Sequence, residues 1–228
     1  MASGFNLTPV SMMLKRHFKV WDMRTIDDIM ALAPVIPVLV IDRIEDARPV
    51  AEALVEGGLP VLEVTLRTPV ALEAIRIMKQ VPGAVVGAGT VLDPAQLAAA
   101  LDAGAEFIVS PGLTEPLGKA AASADIPFLP GTSNTGDVMR ARDLGFSRLK
   151  FFPAEAAGGL PVLKALAAVF GEVRFCPTGG ISQDSAPAWL AEPSVACVGG
   201  SWLVPRGQAI DSEAITARAR AAAALRRS

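Results

Sequence analysis

Eight short runs of β-forming residues, separated by longer segments of helical spacing, govern what this chain can fold into. The runs are Val35–Ile41, Leu59–Thr65, Ala84–Ala88, Glu106–Val109, Pro127–Leu129, Ser147–Phe151, Val173–Cys176 and Val195–Val198. Between them lie helical segments such as Glu45–Glu56, Pro69–Lys79, Pro94–Ala103 and Glu115–Ala124. Strands that alternate with helices argue for a parallel sheet. The runs begin about every 23 residues, close to the βα repeat of a closed eightfold barrel. The competing architecture is an open doubly wound sheet, which usually has fewer strands and a glycine-rich dinucleotide turn after the first one. Here the first run is followed by Asp42-Arg43-Ile44-Glu45, without glycine. The expected fold is therefore α/β, a (β/α)8 TIM barrel. A short N-terminal helix over Asp27–Ala33 could cover its bottom, and a C-terminal helix spans Ser212–Leu225. The 228-residue chain is near the typical size of one barrel, so residues 21–228 read as a single domain and residues 1–20 as an N-terminal extension that could be disordered. Met12, Met13 and Met23 are alternative starts.

Composition narrows the function. The chain has 51% apolar residues, and its 21 Lys and Arg nearly balance 23 Asp and Glu. A nucleic-acid binder would carry a basic surplus, so no nucleic-acid partner is expected. Mean hydropathy is positive, yet no unbroken apolar run approaches the roughly 18 residues of a membrane-spanning helix. The first 20 residues lack the continuous apolar core of a secretory signal. Cys176 and Cys197 form neither a disulfide framework nor a zinc motif and fit reduced core thiols in a cytoplasmic protein. The only histidine is His17. A Ser-His-Asp site, a Cys-His site or a His-ligated metal would need one in the body of the fold.

A barrel carries its active site at the C-terminal ends of its strands, so charged residues late in apolar runs are the candidates. Of the lysines (Lys15, Lys19, Lys79, Lys119, Lys150 and Lys164), only Lys150 is flanked on both sides by apolar strand residues. If Leu149 and Phe151 face the helices, Lys150 points into the barrel. Burying an ammonium is costly, which favours the neutral amine that attack on a keto carbon requires. The alternatives are a lysine that snorkels to the barrel mouth or sits in an ion pair. In the second run, alternation puts Val61, Glu63, Thr65 and Arg67 on one face. Glu63 could move protons, and Arg67 could hold a carboxylate through paired hydrogen bonds; a plain ion-pair cluster at the mouth fits equally well. Thr90, at the end of Gly87-Ala88-Gly89-Thr90, offers a hydroxyl. The last two runs end in Thr178-Gly179-Gly180 and Gly199-Gly200-Ser201. Barrels often bind phosphate with these two loops, and glycine-exposed N–H groups make an anion nest; tight turns alone would also explain the glycines.

At these residues the chain resembles the 2-keto-3-deoxy-6-phosphogluconate aldolase family, also called the 4-hydroxy-2-oxoglutarate aldolase family. The segment Gly58-Leu59-Pro60-Val61-Leu62-Glu63-Val64-Thr65-Leu66-Arg67 looks like the family's catalytic-glutamate signature. The segment from Gly145 through Lys150-Phe151-Phe152-Pro153-Ala154 to Gly158 looks like its Schiff-base lysine signature. The likeness runs from about Pro34 to Pro205. It implies a homotrimer, no cofactor and no metal, and a class I mechanism. It also implies roles: Lys150 as the Schiff-base lysine, Glu63 as the acid/base, Arg67 and Thr90 on the pyruvyl carboxylate, Pro111 and Phe152 lining the pocket. Thr178, Gly179, Gly180, Gly200 and Ser201 then fall at the phosphate end. The chain departs from the family in its longer residues 1–20 and in the more polar loop Gly131-Thr132-Ser133-Asn134-Thr135, which could alter preference at the aldehyde end.

The implied reaction cleaves 2-keto-3-deoxy-6-phosphogluconate to pyruvate and glyceraldehyde 3-phosphate. The galactonate-derived phosphate and 4-hydroxy-2-oxoglutarate are related substrates. Three rivals share the barrel: a metal-dependent class II aldolase, a phosphosugar isomerase or epimerase that forms no imine, and a phosphosugar-binding protein without turnover.

Overall fold

The computed structural model describes residues 24–225. The expected N-terminal extension, His17 and the alternative starts lie outside them. The described strands are β1 (Val35–Leu39), β2 (Val61–Thr65), β3 (Val85–Gly89), β4 (Ile108–Val109), β5 (Phe128–Leu129), β6 (Gly131–Thr132), β7 (Arg148–Phe151), β8 (Arg174–Pro177) and β9 (Val198–Gly200). The helices are α1 (Ile26–Ala31), α2 (Ala47–Glu56), α3 (Ala71–Met78), α4 (Pro94–Asp102), α5 (Glu115–Ser123), α6 (Thr135–Asp143), α7 (Gly159–Val169), α8 (Ala186–Leu190) and α9 (Ser212–Ala223).

Local sequence explains the helices. Asp93, Thr114, Asn134 and Asp211 each accept a backbone N–H at the start of α4, α5, α6 and α9, and Thr25 and Asp28 cap each other's backbone in α1. In α2 the buried Ala47, Val50, Ala51 and Leu54 recur at the spacing of one helical face, as do Ala71, Ala74, Ile75 and Met78 in α3. Strands β1, β2 and β3 are buried along their whole length, as strands of a parallel sheet covered on both faces must be.

All ladder pairings are parallel, in the orders β5-β4-β3-β2-β1-β9 and β6-β7-β8. The result is a curled parallel α/β sheet. Phe175 donates its N–H to the Ser194 carbonyl at 2.8 Å, Ala196 donates to the Phe175 carbonyl at 3.0 Å, and Thr178 bridges Gly199. One face of the sheet carries Leu62, Val64, Leu149, Phe151 and Phe175 into the core shared with the helices. Alternate residues form a second apolar cluster: Ile36, Val61, Val85, Phe107, Val109, Leu129, Cys176 and Cys197. Ile29 and Met30 of α1 belong to that cluster, so the short helix expected to plug one end of the sheet does pack there. The eighth run is displaced from its expected place: β9 begins at Val198, while Val195 forms only an isolated bridge to Phe175.

Candidate active site

Leu149 and Phe151 of β7 are fully buried against the helices. Alternation therefore turns Lys150 to the opposite face. Its backbone is held at both polar groups by one neighbouring segment: Lys150 N donates to the Pro130 carbonyl at 2.9 Å, and Thr132 Oγ1 donates to the Lys150 carbonyl at 3.3 Å. Glu63 faces the same space from β2, in register with Val38 of β1 and Gly87 of β3. Lys150 is 5% and Glu63 3% exposed, and Lys150 Nζ donates to Glu63 Oε1 at 3.0 Å. Gly89 leaves room for that carboxylate, because a Cβ there would lie 2.2 Å from Glu63 Oε1. The Phe152 ring centroid is 5.5 Å from Lys150 Nζ, within cation–π range. Cys176 is in register with Lys150 and belongs to the apolar cluster that contains Val61, two residues before Glu63. The pair thus stands beside an apolar cluster that offers it no hydrogen bonds, and each ion is the other's principal partner.

The remaining candidates occupy the segments just beyond the C-terminal ends of strands. Thr90 follows β3, is half-buried and has φ of 58°, a left-handed conformation that is uncommon for a threonine and concentrates at functional sites. Pro111 follows β4 and Phe152 follows β7; both are half-buried. Arg67 departs from the expected pattern. Strand β2 ends at Thr65, and Arg67 sits in the following turn, where its N–H donates to the Thr65 carbonyl at 2.8 Å. Strand alternation thus places Glu63 and Thr65 but stops short of Arg67. The guanidinium is exposed and, among the described residues, makes no ion pair. Thr65 is a structural residue, its hydroxyl donating to the Leu39 carbonyl at 2.7 Å.

The two glycine pairs prove to be different objects. Gly179 and Gly180 follow β8 with φ of 104° and 83°, a turn that only glycine adopts readily. Gly199 and Gly200 form no turn: they are strand residues of β9, paired with Ile36 and Pro37. The Thr178–Gly199 bridge sets the two segments side by side, with Ser201 exposed just past β9. The Thr178 hydroxyl donates to the Cys176 carbonyl at 3.3 Å. Nearby, Arg206 clasps Asp42 through Nε at 2.9 Å and Nη2 at 2.7 Å, joining the segments after β9 and β1. That hydrogen bonding holds the Asp42 carboxyl below its ordinary range.

The polar segment Gly131–Thr135 is not a free loop. Gly131 and Thr132 continue the fifth run past Pro130 and pair with the lysine strand, while Asn134 caps α6. Strand periodicity gives no sign of the support that Thr132 lends Lys150; the one clue in the sequence is Pro130 interrupting the run, as a proline at a bulge does. Among the described residues no group of three or more His, Cys, Asp or Glu side chains stands together as a metal site. None of the described helices is long and apolar enough to cross a membrane.

Comparison with known proteins gives this geometry a context. The sequence model of the family described as "Aldolase: KDPG and KHG aldolase" matches residues 26–218. The chain is 63% identical over 205 residues to the 2-dehydro-3-deoxy-phosphogluconate aldolase of Zymomonas mobilis, covering 90% of this chain and 98% of that protein. It resembles the crystal structure of the 2-keto-3-deoxy-6-phosphogluconate aldolase of Zymomonas mobilis ZM4 with 3-phosphoglycerate, with a TM-score of 0.88, 63% identity and coverage of 90% and 98% of the two chains. It also resembles the KDPG aldolase from Legionella pneumophila with pyruvate captured at low pH as a covalent carbinolamine intermediate. There the TM-score is 0.84, identity is 44%, and 88% and 99% of the two chains are covered.

Proposed function

The chain belongs to the KDPG and KHG aldolase family, and on that premise we propose that it is a class I aldolase with Lys150 as its Schiff-base lysine and Glu63 as its acid/base. Its substrate is 2-keto-3-deoxy-6-phosphogluconate, which it cleaves to pyruvate and glyceraldehyde 3-phosphate; 4-hydroxy-2-oxoglutarate, cleaved to pyruvate and glyoxylate, is a second substrate. The observation that carries the reading is the buried contact of Lys150 Nζ with Glu63 Oε1 at 3.0 Å. It sets a nucleophile and a proton acceptor within hydrogen-bond reach, as activation of a lysine requires.

In this mechanism Glu63 takes a proton from the Lys150 ammonium, and the free amine adds to the C2 ketone to give a carbinolamine. Glu63 returns that proton to the carbinolamine hydroxyl, which leaves as water, and a protonated imine remains as an electron sink. Glu63, directly or through one water, removes the proton of the C4 hydroxyl. The C3–C4 bond then breaks, its electron pair flows into the imine, and glyceraldehyde 3-phosphate departs. Glu63 returns a proton to C3 of the enamine, and hydrolysis frees pyruvate and Lys150. The covalent intermediate of the Legionella relative supports this course. The exposed Arg67 and the left-handed Thr90 are the ligands of the pyruvyl carboxylate in this reading, with Pro111 and Phe152 lining the pocket. The turn Thr178-Gly179-Gly180, with Gly200 and Ser201, is read as the phosphate end, where two left-handed glycines expose N–H groups to an anion.

The fold reading that accompanies this function is a closed (β/α)8 barrel formed by a single domain over residues 21–228. It is supported by the isolated bridges Phe175–Val195 and Thr178–Gly199, which link the segments of β8 and β9, and by β5 and β6 being consecutive across Pro130. Cys176 and Cys197, both buried, fit a reducing, cytoplasmic compartment. A homotrimer is the assembly carried over from the family resemblance, and sedimentation equilibrium tests it.

The test of the reaction is borohydride trapping with pyruvate, read by intact mass and peptide mapping. A pyruvyl adduct on Lys150 alone is expected. Trapping at another lysine, or no adduct on folded and active protein, removes the mechanism. A chelator is expected to leave activity unchanged, whereas loss with EDTA and rescue by a divalent ion would favour the class II rival.

A further inference from the structure

Glu155 lies five residues past Lys150, outside every role assigned above. It is exposed, yet two contacts fix it against the Gly179–Gly180 turn and a third ties it to Trp189. Its N–H donates to the Gly179 carbonyl at 3.1 Å, next to the Ala154 N–H, which donates to the Thr178 carbonyl at 2.8 Å. Its side chain runs along Gly180 so closely that a Cβ on that glycine would lie 2.7 Å from Glu155 Cβ and Cγ. Its Oε1 accepts the indole N–H of Trp189 at 3.0 Å. Trp189 itself is only 2% exposed and packs on Phe151, the neighbour of Lys150, with ring centroids 6.3 Å apart.

The other side of Glu155 is open. A cleft of about 460 Å3, lined also by Gly159, Leu160, Pro161 and Ser185, borders the carboxylate. Trp189 also lines this cleft, and its indole N–H is the donor that orients the carboxylate there. A swing away from that donor would matter, because a carboxylate beside an anion-binding turn repels the anion unless it is held to one side. It would also remove the wall against which the left-handed Gly180 packs.

We propose that the Glu155–Trp189 pair is a positioning device that holds the Gly179–Gly180 turn in its anion-receiving shape and so sets the preference for phosphorylated over unphosphorylated keto acids. The proposal rests on the reading of that turn as the phosphate end. Glu155 touches neither the reacting carbons nor Lys150; it acts through the turn. The acceptor oxygen matters for the bond to Trp189, so glutamine should substitute where alanine cannot.

The experiment compares kcat/KM for 2-keto-3-deoxy-6-phosphogluconate and 4-hydroxy-2-oxoglutarate in the wild type, Glu155→Ala, Glu155→Gln and Trp189→Phe. Glu155→Ala and Trp189→Phe are expected to lower the ratio of phosphorylated to unphosphorylated kcat/KM by roughly tenfold, since small misplacements of a binding group cost one to two orders of magnitude. The loss should lie in KM for the phosphorylated substrate. Glu155→Gln should restore most of the ratio. Glu155 is at the surface, so its variants remain informative if Trp189→Phe proves unstable. An unchanged ratio, equal losses on both substrates, or a Glu155→Gln defect as large as that of Glu155→Ala overturns the proposal. Failure of the underlying reading shows separately, as a wild type that forms the pyruvate imine but has no preference for the phosphorylated substrate.

Discussion

Lys150 Nζ and Glu63 Oε1 meet at 3.0 Å although 87 positions separate them in the chain. They belong to the three-stranded and six-stranded parts of the sheet respectively. Neither ion has solvent to fall back on, since both are at most 5% exposed. In the proposed mechanism catalysis and stability are therefore coupled at this contact, and substitution separates the two.

Glu63→Gln keeps the shape and the buried lysine but removes the proton-transfer group. It is expected still to form some imine with pyruvate, while cleavage and exchange of the methyl protons of pyruvate fall by roughly 10²–10⁴-fold, the usual worth of a general acid/base. Methyl-proton exchange by NMR in D2O, beside borohydride trapping on the same variant, measures both. Exchange at the wild-type rate would return Glu63 to a plain ion-pair role.

Lys150→Met is expected to abolish imine formation and also to strand the Glu63 carboxylate away from water. Breaking a buried pair from one side costs about 3–5 kcal/mol, whereas replacing both ions with apolar groups of similar volume is often neutral. Urea denaturation at neutral pH is expected to show Lys150→Met well below the wild type and Glu63→Leu/Lys150→Met recovering most of the loss. A double variant no more stable than the single one would mean that the pair is hydrated.

Ser201→Ala is expected to weaken phosphorylated substrates more than 4-hydroxy-2-oxoglutarate, because Ser201 is exposed just past β9, beside the segment carrying Gly179 and Gly180. Steady-state kinetics with both substrates decide the matter. Equal losses in kcat/KM would place the phosphate elsewhere.

The Asp42–Arg206 clasp predicts a pH effect on stability. Hydrogen bonding from Arg206 holds the Asp42 carboxyl below its ordinary value of 3.8. A group depressed on folding stabilises the native state above its unfolded value, and that contribution is lost as pH falls through the folded value. The melting temperature of Asp42→Asn should therefore lie below that of the wild type at neutral pH. The gap should close in acid, below the ordinary carboxylate range, and narrow in high salt, because both side chains are exposed. A gap that persists at low pH would assign the effect to packing.

The alternation of strands and helices, the direction of Lys150 and the face taken by Glu63 were legible in the residues alone. These follow from local physics: a period of two decides which face a strand residue takes, and a charged residue between apolar neighbours in a run must point away from the helices. The paired glycines of Gly179-Gly180 were legible for the same reason, since left-handed backbone is a property of single residues. Tertiary structure decided everything that depends on where a strand ends or which strands adjoin. Arg67 fell outside β2 because the chain turns after Thr65, and Gly199–Gly200 became strand because β1 offered them a partner. The support of Lys150 by Thr132, and of the Gly179–Gly180 turn by Glu155 and Trp189, joins side chains and backbone from different elements. No periodicity encodes such contacts, because they are set by the register and curl of the whole sheet rather than by the residues on either side.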